Sequence, residues 1–166
     1  IALYRLSEDV GALRTPTQYI DMTQALVVGG FAIEGQRVLD KGIASGVFTP
    51  ADQARAQRTL DTAKRRADEE RKSLAGADKA FAAAKTGDAA YEVGKLYFSA
   101  GDYAKAAAAM QKALSLPGLS DADDANAVLG MALARQGKKA EAGKAFDAIK
   151  DPKFAEIARL WKLSTR

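Results

Sequence analysis

The chain has 166 residues, 48% of them hydrophobic, and 25 basic against 21 acidic side chains give a net charge of +4. That length suits one domain with a buried core, and so mild and dispersed a charge gives no strong bias toward nucleic acid. No histidine or cysteine is present, which removes the residues that most nucleophilic triads and nearly all structural zinc sites depend on and rules out a disulfide framework.

The first helix is predicted over 2–13, where Leu3, Tyr4 and Leu6 already stand at helical spacing. The chain opens on Ile1 rather than Met, as a processed chain or a cut from a longer one would. Thr15-Pro16 starts the second helix, 16–29, with Gln18 three residues after Thr15 in the manner of a capping box. A third follows over 32–46. Thr49-Pro50, with Asp52 three residues on, opens a fourth over 50–73 that no breaker interrupts before Ala75-Gly76.

Within that fourth helix Lys64 and Asp68, Arg65 and Glu69, and Arg66 and Glu70 stand four apart. Such pairs add only about 0.2–0.5 kcal/mol each, and base before acid is the weaker order, so a solvated face is the expectation. A coiled-coil arm through Leu60, Ala63, Ala67 and Leu74 falls short of the three or four heptads such an arm needs. A short helix is predicted over 77–86. The next two run over 88–100, with Ala90, Val93, Gly94 and Tyr97, and over 103–116, with Ala106, Met110, Ala113 and Leu114. Pro117-Gly118 is a stop, and Ser120 followed by Asp123 resembles another capping box before 122–136. Helices over 139–150 and 152–164, the last opened by Asp151-Pro152, complete the chain. No alternation with period two occurs, so no strand is predicted, and no apolar run approaches the 18 or so residues of a transmembrane helix.

The segments repeat one another. Gly94, Gly101, Ala106 and Met110 are matched by Gly130, Gly137, Ala142 and Phe146, each 36 residues later, and Tyr19, Leu26, Gly30, Gly35 and Leu39 precede Ala90, Tyr97, Gly101, Ala106 and Met110 by 71. Small residues at the matched places let two helices approach closely, while Tyr97 and Met110 fill the flanking space. Ala90, Val93, Gly94 and Tyr97, the turn Gly101-Asp102-Tyr103, Ala106, Met110 and Ala113, and Pro117 together resemble the tetratricopeptide repeat. The resemblance is strongest over 87–150, looser over 16–49 and weak elsewhere. It implies an all-α, right-handed superhelical stack of about ten helices in a single solenoid domain. The expected parts are an N-terminal helix 1–15, a repeat 16–49, an irregular pair 50–86 with a long charged first helix, repeats 87–120 and 121–150, and a capping segment 151–166. In composition the chain is also similar to proteobacterial repeat proteins of unassigned function, some of them exported, a resemblance that slightly favours the periplasm, while the absence of cysteine leaves periplasm and cytoplasm both open.

Two motifs point to chemistry and fail on their details. Gly29 to Gly35 lacks the Gly-Lys-Ser/Thr ending of a phosphate loop and follows no strand. Asp121, Asp123 and Asp124 begin like a calcium loop, but Asn126 and Ala132 stand where Gly and Glu are needed. No catalytic, cofactor or metal residue is therefore expected, and the chain reads as a non-enzyme.

What the resemblance implies is a concave groove lined by the first helix of each repeat. The outward places carried over are Ile20, Gln24, Val27 and Val28, then Tyr91, Lys95, Phe98 and Ser99, then Ala127, Met131, Ala134 and Arg135. Of these, Gln24, Val28, Tyr91, Lys95, Phe98, Met131 and Arg135 are the expected contacts to a peptide or partner helix, with Lys95 and Arg135 placed to hold a carboxylate. Packing of Tyr91, Phe98 and Met131 between neighbouring repeats is the competing expectation. The Lys and Asn of the family's clamp for chaperone C-termini are replaced by Ile20 and Gln24, so that ligand is not expected. Self-association within a larger bacterial protein, and weak nucleic-acid binding through the basic 64–72 face, are the alternatives to a protein-binding scaffold.

Overall fold

A computed structural model describes residues 1–164, and the last two positions of the expected capping segment lie outside the described residues. Ten helices follow one another: α1 (Ala2–Asp9), α2 (Pro16–Val28), α3 (Ala32–Ala44), α4 (Gln53–Leu74), α5 (Ala77–Ala83), α6 (Gly87–Ser99), α7 (Tyr103–Ser115), α8 (Ala122–Arg135), α9 (Lys139–Asp147) and α10 (Pro152–Ser164). No strand occurs among the described residues. From α2 to α4, and again from α5 to α10, successive helices pack in series, as in a tetratricopeptide-like helical stack.

Starts and stops have local causes. Thr15 accepts from the Gln18 N–H and Gln18 answers the Thr15 N–H, which completes a capping box. Thr86, Asp102 and Asp121 each accept from the N–H three residues on. Two expected caps differ. The Thr49 N–H and hydroxyl both donate to the Asp52 carboxylate, at 3.0 and 2.7 Å, closing a turn that delays α4 to Gln53. Ser120 gives its N–H and hydroxyl to Asp88, so Asp121 caps α8 in its place.

The 36- and 71-residue offsets have a backbone counterpart. Gly30, Gly101 and Gly137 all take positive φ, 79°, 82° and 76°, just past the ends of α2, α6 and α8. In each case the next residue's N–H reaches back to the carbonyl of Leu26, Tyr97 or Leu133, as in a Schellman closure. A side chain at these places would strain the turn between the paired helices.

By their internal contacts the helices fall into two compact units, one running from Leu3 to Ala75 and the other from Gly76 onward. The sequence interval 50–86 straddles this division.

In the first unit α2 packs on α3, and α4 packs on both. Met22, Leu26, Val38, Leu39, Ala63 and Ala67 are buried there, and so are Arg5 and Glu34. Arg5 Nε lies 3.0 and 3.1 Å from the two Glu34 oxygens and Nη2 lies 2.6 Å from one of them, with the guanidinium 4.1 Å from the Phe31 ring centroid. α4 is tied in by Glu70, whose carboxylate accepts from the N–H groups of Ala32 and Ile33 at 2.6 and 3.0 Å. It thereby caps α3, whose N-cap residue Phe31 has no capping side chain. The expected four-apart pairs on α4 give way to pairs three apart, Arg66 with Glu69 and Arg71 with Asp68, and Glu70, the expected partner of Arg66, is drawn to α3. Leu60, Ala63 and Ala67, the conceivable coiled-coil seam, are buried within the unit.

In the second unit each helix from α5 to α10 packs on the next, and α8 also meets α6 and α10. Close crossing at small residues is observed: a Cβ added to Gly94 would lie 2.7 Å from Met110 Cε, and one added to Gly130 would lie 2.5 Å from Phe146 Cε1. First-turn carboxylates also reach forward to the loop before a later helix. Asp88 of α6 holds Ser120 ahead of α8, and Asp123 of α8 holds the N–H groups of Lys150 and Asp151 ahead of α10.

Candidate functional site: a basic cleft beside α2

The residues expected to line a groove divide between the units. Gln24 and Val28 belong to the first; Tyr91, Lys95, Phe98, Met131 and Arg135 belong to the second.

Within the second unit two expected contacts face inward. Phe98 is 1% exposed and Met131 2%, and Ser99 and Ala127, also expected outward, are buried as well. The first helix of each repeat is enclosed here on more than one side: α6 meets α5, α7 and α8, and α8 meets α6, α7, α9 and α10. A helix packed on several neighbours buries apolar side chains beyond its repeat-internal face. Phe98 stands edge-on to Tyr103 at 5.2 Å. Arg135 lies 5.4 Å over the Phe98 ring and 5.1 Å over Tyr103, and donates to the Tyr103 hydroxyl at 2.8 Å. Tyr91 is half-buried and donates its hydroxyl to Asp124; burial first, then that carboxylate, drives its pKa far above the ordinary tyrosine value. Lys95 reaches Glu92 at 3.3 Å and lies 5.4 Å over the Tyr91 ring. The structure thus joins Tyr91 with Lys95, and Phe98 with Arg135, while each of the two cations already has partners inside the unit.

α5 is fastened to this unit by one carboxylate. Asp78 accepts from Lys105 at 2.7 Å and from the Tyr97 hydroxyl at 2.6 Å, and these bonds hold its pKa below the usual aspartate value. Burial, and then Asp78, pushes Tyr97 up to about 12.

The first unit presents a more open arrangement. Ile20, expected outward, is buried at 1% exposure, because α2 is covered by α4 as well as by α3. Gln24 and Val28 remain exposed, Val28 at 89%. With Val27 they form one wall of a cleft of about 330 Å³ whose other wall is Arg55, Arg58, Thr59 and Thr62 of α4. Arg58 and Thr62 continue into a shallower cleft with Asp61 and Arg65. Arg55 pairs with Asp21 at 3.0 Å. Among the described residues no carboxylate pairs with Arg58 or Arg65.

One exposed valine is ordinary on a protein surface. Two valines on an open cleft edged by guanidinium groups form an amphipathic concavity, apolar on one wall and cationic on the other. Arg55, Arg58 and Thr62 were not among the residues expected from the sequence, and Arg65 was expected only in a pair with Glu69 and in the basic 64–72 face. Their spacing of three, four and three places them on one helical face, and that signal was available.

Residues 87–117 match the family model described as tetratricopeptide repeat, which takes in α6 and α7. No curated protein and no solved structure matches the chain.

Proposed function

We propose that this chain, a carrier of the tetratricopeptide repeat, is a protein-interaction scaffold whose contact surface includes the cleft between α2 and α4. Tetratricopeptide repeats generally mediate protein–protein interaction, and an all-helical repeat scaffold is typically non-catalytic. The observation that carries the reading is Val28, 89% exposed beside Val27 in an open cleft flanked by Arg55 and Arg58. Apolar side chains kept at the wall of a concave surface and rimmed by arginine are what a partner segment can bury. No catalytic role is assigned to any residue; the shifted tyrosines Tyr91 and Tyr97 are explained by burial and by their aspartate partners. In the second unit the half-buried Tyr91, Lys95 and Arg135 are proposed as a further, polar contact strip.

Val28→Asp tests this directly, since Val28 supports no buried packing. The variant is expected to keep its helical circular dichroism and melting midpoint while a tagged protein loses one or more of the partners that the wild type captures. Retention of every partner by a folded Val28→Asp protein would count against the cleft.

A further inference from the structure

We infer that the α2–α4 cleft receives an extended acidic segment of a partner protein, with two carboxylates about three residues apart and an apolar side chain seated on Val27 and Val28. This rests on the scaffold reading above and adds the chemistry of the occupant.

Charge complementarity supplies the argument. Arg55 is already neutralised by Asp21, whereas Arg58 and Arg65 have no carboxylate partner among the described residues. They are seven residues apart on α4, which is roughly 10 Å at the helical rise. An extended polyproline-II segment has three residues per turn and advances about 3.1 Å per residue, so its side chains at positions one and four point the same way about 9 Å apart. Two carboxylates so placed meet both guanidinium groups, each able to form a forked, charge-assisted pair. Thr62, between the arginines along α4, adds a hydroxyl, and the valine wall accepts an apolar side chain on the other side of the segment.

Nucleic acid fits the lining less well. Nonspecific binding draws on many phosphate contacts, and bases stack on aromatic rings. The two clefts present two arginines without ion-pair partners, and their lining of Gln24, Val27, Val28, Arg55, Arg58, Thr59, Asp61, Thr62 and Arg65 holds no ring.

The test is fluorescence anisotropy on the whole chain with three labelled probes: a decapeptide carrying a leucine and two glutamates three apart, the same peptide with lysines for the glutamates, and a twenty-residue oligothymidylate. The acidic peptide is expected to bind, and Arg58→Glu with Arg65→Glu to weaken it about tenfold or more, the size set by losing hydrogen bonds to charged groups. The lysine peptide is expected to gain affinity for that double variant, a reversal that loss of folding could not produce. Lys144→Glu, an exposed change in the other unit, is expected to leave binding unchanged. No binding of the acidic peptide at millimolar concentration, equal binding by the double variant, or tighter binding of the oligothymidylate that the double variant loses would each overturn the inference. If the double variant still captures the partners that Val28→Asp loses, the acidic occupant is wrong and the scaffold reading stands. If Val28→Asp loses none, the scaffold reading at this cleft fails first.

Discussion

Gly130 and Phe146 touch so closely that only a hydrogen fits between them: a Cβ on Gly130 would meet three ring atoms at 2.5 to 2.7 Å. The ring has little freedom to retreat, being buried and stacked on Trp161 at 6.1 Å. Alanine normally gains about 1 kcal/mol over glycine inside a helix, but overpacking costs about 1–3 kcal/mol. Gly130→Ala is expected to lower stability by up to about 2 kcal/mol in urea unfolding. Gly143, in α9, has nothing within 4 Å of an added Cβ, and Gly143→Ala is expected to raise stability by about 0.5–1 kcal/mol. The pair of opposite signs separates crossing geometry from helix propensity.

The Arg5–Glu34 pair, 1% and 2% exposed, gives a different expectation. Removing one member of a buried, forked ion pair costs about 3–5 kcal/mol, because the remaining charge has been taken out of water. Glu34→Ala is expected to fall in that range by denaturant unfolding. Arg5→Met with Glu34→Leu, which removes both charges, is expected to recover most of the loss.

Phe98→Ala is expected to act on the core. A buried phenylalanine at 1% exposure predicts a loss of about 3–5 kcal/mol and an early thermal transition, measured by circular dichroism before any binding assay is read. Lys95→Glu, at a half-buried position on the surface of the same helix, is expected to cost far less.

Acid should loosen the second unit through two exposed carboxylates. The Lys105 and Tyr97 bonds lower the pKa of Asp78, and the Ser120 hydroxyl and N–H lower that of Asp88. A pKa lowered by folding contributes stability that is present above the unfolded value and is lost as pH falls through the folded one. Lys105 is shifted upward by the ionised Asp78, so the same pair is also lost at strongly alkaline pH, where the ammonium gives up its proton. Asp78→Asn and Asp88→Asn are therefore expected to be less stable than the wild type at neutral pH, with the gap closing in acid below the ordinary aspartate range. A urea midpoint that differed equally at both pH values would contradict this.

Much of the helical framework was legible because its punctuation is local. Thr15-Pro16, Asp151-Pro152 and the glycines at 30, 101 and 137 act through their own backbone, so the sequence carries their effect directly. The close crossings at Gly94 and Gly130 were legible from the 36-residue offset, since small residues facing large ones is a pattern in the chain itself. What was not legible depends on third parties. Phe98 and Met131 face inward because the first helix of a repeat also meets the neighbouring repeat, and their side chains alone do not distinguish a core contact from a recognition surface. Glu70 left its expected surface pair for the end of α3, a choice made by tertiary approach. The cleft was half visible: Gln24 and Val28 follow from the repeat pattern, while Arg58 lies on a helix outside that pattern and Arg65 was legible only as part of the charged 64–72 run.

Asp88 and Asp123 each sit in the first turn of one helix and fasten the backbone that leads into a later one. At their far ends these links fall on backbone N–H groups that any non-proline residue supplies, joined at Asp88 by the Ser120 hydroxyl. The hydrophobic crossings must be matched pair by pair, whereas these joints rest largely on backbone that a side-chain substitution leaves in place.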